Sequence, residues 1–242
     1  MLELRAFRGH VVAAERAHRV VAPPYDALAP ATRAALAATD PDSYLGALPP
    51  GVAVGSRELE TTLVRCRDHL ARLFAAGYYR ALPGPTIGVL ALGAGDERAV
   101  GIVGDVPVAA FAAVGRGAAR PGTAAPFRDD DGLVRPHERV RAARVDELTR
   151  YLEVVGVASS PVALTQRPSA AVTSATEAVT TSAPDLAYRA DDGVDVALWC
   201  VTDPRRRRAL ERAVAEAGPA FLADGHHRSA AAANRDAAAL RW

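Results

Sequence analysis

The sequence of 242 residues contains no lysine, so all 29 of its basic side chains are arginines. A chain without lysine cannot form a lysine Schiff base, attach pyridoxal phosphate or supply the lysine of a standard P-loop. Any phosphate binding by this chain must therefore use arginine, histidine, backbone amides or a metal ion.

Cysteine is almost absent as well, with only Cys66 and Cys200 far apart in the chain. Because there is no C-x-x-C pair, the sequence does not support a zinc ribbon or a thioredoxin-like redox centre. Both residues lie in apolar surroundings, which predicts buried free thiols.

Long apolar runs and an excess of charge of one sign are also missing. The N-terminal segment MLELRAFRGH has no apolar core of the signal-peptide type, and no apolar run is long enough for a transmembrane helix. We therefore expect a cytoplasmic protein with no membrane partner. The formal net charge of +1 gives no electrostatic case for nucleic-acid binding.

The first half of the chain predicts helices followed by a hairpin. A short helix is expected from residue 30, and the apolar stripe from Leu59 to Phe74 predicts a longer helix that stops at Gly77. The runs TIGVLALG and AVGIVGDVPV then predict two paired strands.

The second half predicts an alternation of helices and strands. An amphipathic helix is expected to begin around Pro136 to Glu138, and SPVALT predicts a strand, followed by a helix over 169–185. LAYRADDGVDVALWCVTD predicts two strands around a turn, and Asp203 with Pro204 marks a helix start. PAFLAD then predicts a strand before a last helix. The order favours a mixed α/β fold, with a mixed sheet and flanking helices.

The segment FLADGHHRSAA is the strongest candidate for a site. Here Asp224 and Gly225 form the turn between a strand and a helix, so that His226, His227 and Arg228 fall at the helix N-terminus. Free backbone N–H groups, a positive dipole end and a guanidinium suit a phosphate. Asp224 is a candidate ligand for Mg²⁺. The alternative is a simple turn, in which Asp224 caps the helix and the two histidines are partly exposed.

Two other segments carry candidate site residues. His137 and Glu138 stand side by side at a predicted helix start, where Glu138 is a candidate general base or metal ligand. Tyr25 and Asp26 follow a rigid double proline that could direct them into a cleft. For both segments a solvent-exposed turn is the competing interpretation, with Asp26 then capping the next helix.

Three segments occur in the order VVAPPYDAL, PHERVRAARVDEL and FLADGHHRSAA. Through these segments the chain resembles the bacterial domain of unknown function 1015 family over nearly its whole length. The middle motif departs from the family pattern, because Arg139 and Val140 stand where a threonine usually follows the His-Glu pair. Family members also usually continue beyond DGHHR. The resemblance therefore predicts a single domain over 1–242 that is C-terminally truncated, or whose missing section comes from a partner or a homodimer.

The DGHHR segment is also similar, more distantly, to a motif of the ParB/sulfiredoxin superfamily, which includes free-serine kinases. This resemblance implies a Mg²⁺–nucleoside triphosphate site at Asp224, Gly225, His226, His227 and Arg228, with Asp224 on the metal. It also implies catalytic roles for Glu138, His137 and His227, and substrate contacts for Tyr25 and Asp26.

The implied activity is transfer of phosphate from a nucleotide to a small hydroxylated metabolite, such as serine. Two alternatives stay open at this point. One is a non-catalytic, nucleotide-responsive binding or regulatory module, and the other is an inactive truncated remnant.

Overall fold

A computed structural model describes residues 1–22, 28–48, 57–94, 97–111, 132–158, 160–190 and 192–235 of the protein. Within these ranges helices and strands are interleaved along the chain, which confirms the predicted mixed α/β class. The helices are α1 (Ala17–Val20), α2 (Pro30–Thr39), α3 (Arg57–Ala75), α4 (Ala142–Val155), α5 (Ala170–Thr180), α6 (Pro204–Glu216) and α7 (His226–Asn234). The strands are β1 (His10–Val12), β2 (Tyr79–Ala81), β3 (Ile87–Ala94), β4 (Glu97–Val103), β5 (Val134–Arg135), β6 (Ala163–Thr165), β7 (Leu186–Arg189), β8 (Asp195–Val201) and β9 (Ala220–Asp224).

A four-stranded antiparallel sheet, in the order β4-β3-β8-β7, contains both predicted hairpins. Its inner face carries Ile87, Val89 and Trp199, all buried. These side chains share one core with Leu210 and Val214 of α6. Asp203 accepts hydrogen bonds from the first amides of α6, which confirms the predicted cap.

A second, three-stranded sheet has the order β5-β9-β6, with β5 parallel and β6 antiparallel to β9. Val134, Ala220 and Leu222 are fully buried and extend the same core. The carboxyl ends of β5 and β9 therefore meet at one edge of this sheet. In open α/β sheets that edge is where ligands usually bind.

The predicted start of the fourth helix is wrong. The helix begins at Ala142, not around Pro136 to Glu138. Two effects explain the difference: Val134 pairs with β9, and Pro136 favours extended geometry for Arg135. Residues 136–141 form a connection between β5 and α4.

Helices α3, α4 and α7 form a second core. The predicted stripe on α3 is confirmed, with Leu59, Leu63 and Leu70 buried. On α7, the small residues Ala230 and Ala231 are buried in the same cluster. This packing holds the N-terminus of α7 beside the segment 136–141.

The strands β1 and β2, which the sequence did not predict, pair into a small antiparallel ribbon. Cys66 and Cys200 do not form a disulfide with each other; Cys66 is buried, as predicted, whereas Cys200 is only half-buried. Among the helices in the described residues, none combines the length and the apolar character that crossing a membrane requires.

Candidate functional site

The DGHHR segment forms the turn between β9 and α7, as predicted. Gly225 has a φ of +92°, in the left-handed region that favours glycine. A Cβ atom at this position would lie only 2.8 Å from Cγ1 of Val162. Both the backbone conformation and the space therefore require glycine here.

Asp224 and Arg228 pair with each other across this turn. The Arg228 guanidinium donates to the exposed carboxylate of Asp224, and its own side chain is largely buried. The alternative in which Asp224 caps α7 is wrong, because Gly225 occupies the N-cap position and no side chain caps the helix. The carboxylate of Asp224 orients Arg228 instead.

The two histidines contact the connection that follows β5. The backbone N–H of His137 donates to Nε2 of His226 at 3.3 Å, and that of Arg141 donates to Nε2 of His227 at 3.0 Å. His226 is only 3% exposed, so the expectation of two partly exposed histidines is wrong for this residue. The two imidazole rings attach segment 136–141 to the start of α7.

These hydrogen bonds also define the protonation of the rings. Because each Nε2 accepts a hydrogen bond, the neutral form of each ring carries its proton on Nδ1. Burial lowers the pKa of His226, and the neighbouring His137 lowers it further, whereas Glu138 opposes the shift. Burial also lowers the pKa of His227, again with Glu138 acting in the opposite direction.

Glu138 lies directly against the buried histidine. Its Oε2 is 3.6 Å from Nδ1 of His226, and its side chain is 58% exposed. The ring of His137 meets that of His226 edge to face, with centroids 4.4 Å apart. One donor atom from each of these three residues lies within 4.8 Å of the others. The structure therefore brings together two sequence motifs that lie 86–89 residues apart.

Comparison with known proteins identifies one family. The profile of a family described as "Protein of unknown function (DUF1015)" matches residues 4–239. The chain belongs to the DUF1015 family. No curated protein and no solved structure matches the chain.

The predicted site residues of this DUF1015 member divide into three groups. His137, Glu138 and His226 form the cluster, and His227 and Arg228 lie next to it on α7. Among the described residues, Asp224 does not belong to the group whose donor atoms are close enough to hold a metal ion. Tyr25 and Asp26 lie outside the described residues, so their substrate contacts stay a prediction.

Sequence reasoning missed the role of Arg141 and Arg144 in this DUF1015 chain. The backbone of Arg141 holds His227, and the charges of both arginines contribute to lowering its pKa. Every residue type except proline has a backbone N–H, so no sequence motif could have identified Arg141 as the donor. The basic character of the stretch RVRAAR was the only available signal.

A cavity of about 490 Å³ lies elsewhere, on the four-stranded sheet, lined in part by Arg98, Tyr188 and Trp199. None of its lining residues belongs to the histidine–glutamate cluster. We place the candidate site at the cluster because titratable groups with shifted pKa converge there beside a helix N-terminus.

Proposed function

We propose that this DUF1015 protein binds a nucleoside triphosphate with Mg²⁺ at the carboxyl ends of β5 and β9. It would transfer phosphate to a small hydroxylated metabolite, as a free-serine kinase does. One observation carries this proposal: the parallel pair β5–β9 sets the carboxylate of Glu138 3.6 Å from His226, the first residue of α7. The similarity of DGHHR to the ParB/sulfiredoxin motif supports the choice of a nucleotide.

The N-terminus of α7 suits the phosphates. The first amides of a helix have no partner within the helix, and the helix dipole favours an anion there. The helix is nine residues long, and the guanidinium of Arg228 in its first turn is held by Asp224. An arginine whose position is already fixed loses less conformational entropy when it binds a phosphate.

Mg²⁺ prefers oxygen ligands, which among the described residues of the site only the carboxylates near the helix start, those of Glu138 and Asp224, would supply. Glu138 offers an exposed carboxylate, whereas the carboxylate of Asp224 already pairs with Arg228. We therefore propose Glu138 as the metal ligand in place of Asp224, the ligand that the sequence predicted. Bound with the nucleotide, Mg²⁺ would neutralise phosphate charge during transfer.

The roles of the side chains follow from their protonation. The carboxylate of Glu138 can accept a hydrogen bond from the hydroxyl of the metabolite and orient it toward the phosphate. His227 is half-buried beside the same carboxylate and carries its proton on Nδ1, which can donate to a phosphate oxygen.

Isothermal titration with ATP, CTP and ADP in the presence of Mg²⁺ tests nucleotide binding. A phosphate-transfer assay against a panel of hydroxylated metabolites, with serine among them, tests the reaction. We expect Glu138→Gln to slow transfer at least about 100-fold, whereas nucleotide added without Mg²⁺ should bind to this variant as it does to the wild type. Glu58→Gln, at an exposed position on α3, is the matched control and should transfer normally. Absence of binding by the folded protein would contradict the proposal.

A second candidate function, a nucleotide-responsive module without catalysis, is favoured by a specific feature. The Nε2 atoms of His226 and His227 are occupied by backbone amides, and Arg228 is occupied by Asp224. In this arrangement these groups hold the connection and the turn in place. Nucleotide binding without transfer to any metabolite, unchanged in Glu138→Gln, would support this alternative.

A further inference from the structure

We propose that His137, Glu138 and His226 form a binding centre for a divalent transition-metal ion such as Mn²⁺, Fe²⁺, Co²⁺ or Zn²⁺. This centre goes beyond the proposed function, because it needs neither nucleotide nor phosphate transfer. Among the described residues, these three make up the group whose donor atoms lie within 4.8 Å of one another.

The spacing of the donor atoms is close to what such an ion needs. Bonds of about 2.1 Å in tetrahedral geometry require donor atoms about 3.4 Å apart. Nδ1 of His226 and Oε2 of Glu138 are 3.6 Å apart. The His137 ring already meets the His226 ring edge to face, at 4.4 Å between centroids. A small movement would therefore complete the coordination.

The types of donor select the class of metal. Two imidazoles and one carboxylate suit Fe²⁺, Mn²⁺, Co²⁺ and Zn²⁺, whereas Mg²⁺ prefers oxygen ligands alone. Three protein ligands also leave coordination positions open for water or an anion. The centre lies beside the N-terminus of α7, where an anion bound to the metal would meet a favourable dipole.

The three ligands differ in burial. The side chain of His226 is 2% exposed and belongs to the first turn of α7, whose Ala230 and Ala231 pack in the core shared with α4. Its burial therefore fixes the position of this imidazole. The other two ligands are exposed side chains in the connection after β5, so they can close onto His226.

Metal binding would replace one hydrogen bond. A neutral imidazole that binds a metal through one nitrogen carries its proton on the other. The ring of His226 could then no longer accept the 3.3 Å hydrogen bond from the backbone of His137. Loading the centre should therefore move segment 136–141 and increase hydrogen exchange at the His137 amide.

The experiment uses the full chain stripped with a chelator and titrated, without nucleotide, with Zn²⁺, Co²⁺, Mn²⁺ and Mg²⁺. Calorimetry reports affinity, and the visible absorption of Co²⁺ reports nitrogen ligation. We expect stoichiometric binding of the transition metals, weaker by at least about tenfold in His137→Gln and in Glu138→Gln. Both changes are at exposed side chains, and His137→Gln keeps the backbone amide, so folding should persist.

His18→Gln and Glu58→Gln are the matched controls, because both residues are exposed and lie on other helices. They should bind metal as the wild type does. The proposal is overturned if the folded protein binds no transition metal, if Mg²⁺ binds as tightly, or if the two cluster variants bind unchanged. Zinc binding without nucleotide binding would keep this centre and reject the kinase function, so the two failures are distinguishable.

Discussion

The two main sheets are built from the chain in different ways. In the four-stranded sheet, β3 has eight residues and β4 has seven, and the two strands are close neighbours in the sequence. In the three-stranded sheet, β5 has two residues and β6 has three, and both pair with the distant β9. The two hairpins of the first sheet follow from local patterns, and only the pairing of β3 with β8 joins distant segments. In the second sheet every strand pairing joins distant segments.

The candidate site lies beside the second sheet, whose strands β5 and β6 are short. There the connection 136–141 is held by backbone hydrogen bonds to two histidine rings, not by a long strand ladder. A site of this kind can move without breaking the core, which suits ligand binding. The comparison teaches that the candidate site lies in the part of the molecule that contacts between distant segments assemble.

The largest expected effect compares two positions in the shared core, one on each sheet. Leu222→Ala and Ile87→Ala each remove a side chain that is fully buried, so each should lower the free energy of unfolding by about 2–5 kcal/mol. Only Leu222→Ala should also weaken metal binding and increase exchange at the amides of His137 and Arg141. Urea unfolding, calorimetry and hydrogen exchange measure these effects. Equal damage to the site by both variants would show that the two sheets are not separable.

The second prediction compares two glycines in the left-handed region. Gly225 and Gly193 have φ values of +92° and +84°, but a Cβ at Gly193 would meet nothing within 4 Å. Gly193→Ala should therefore lower the free energy of unfolding only through backbone strain, by about 1 kcal/mol. Gly225→Ala adds a clash with Val162, so its cost should be about 2–4 kcal/mol. Urea unfolding of both variants checks the difference, and equal costs would mean that Val162 moves away freely.

The sequence predicted the elements whose signals are local. Asp203 and Pro204 mark the start of α6 through their own side chains, and Gly77 lies just beyond the end of α3 with a φ of +74°. It did not predict β5, because a strand of two residues has no periodicity and exists through pairing with β9. The same limit hid Arg141, whose part in the site is its backbone amide.

For the site itself, the sequence identified residue types but not their partners. Glu138 and His226 were both named, and the structure sets them 3.6 Å apart. The simple-turn alternative, with two partly exposed histidines, is wrong for His226, because its burial comes from packing of α7 that the motif does not encode. Asp224 was assigned to a metal or a cap, but it pairs with Arg228 one helical turn later.

The third prediction uses pH to separate the two regions. Burial raises the pKa of Asp105, next to the end of β4, to about 6, so the folded state holds a proton that the unfolded state loses. Stability contributed by this group is lost as pH rises from about 4 to 6. The pKa of His226 is lowered, so the unfolded state binds the proton first, and stability falls as pH drops below about 6.5.

Urea unfolding between about pH 4 and pH 7.5 tests these opposite signs. Asp105→Asn should increase stability most at neutral pH, and the gain should vanish in acid. The deficit of His226→Gln should shrink as pH falls, because the wild type then loses stability by protonation. The wild type and His226→Gln share the other charged groups around position 226, so these groups do not account for the change in the deficit with pH. They are Glu138, Asp224, His137 and His227. Parallel pH curves for either variant and the wild type would contradict the assignment.

The smallest expected effect on stability compares two exposed carboxylates. Glu138→Gln, beside the three-stranded sheet, and Glu97→Gln, in the four-stranded sheet, should each change the free energy of unfolding by less than about 0.5 kcal/mol.

The two substitutions should differ in their effect on the pKa values of His226 and His227. The charge of Glu138 raises the pKa of His226 and of His227 against their burial, so its removal should lower both values further. Titration of the imidazole resonances by NMR measures this shift, and Glu97→Gln should leave both unchanged. If Glu138→Gln leaves them unchanged as well, the carboxylate does not contact the histidines in solution, and the cluster that supports both the kinase and the metal proposals is not formed.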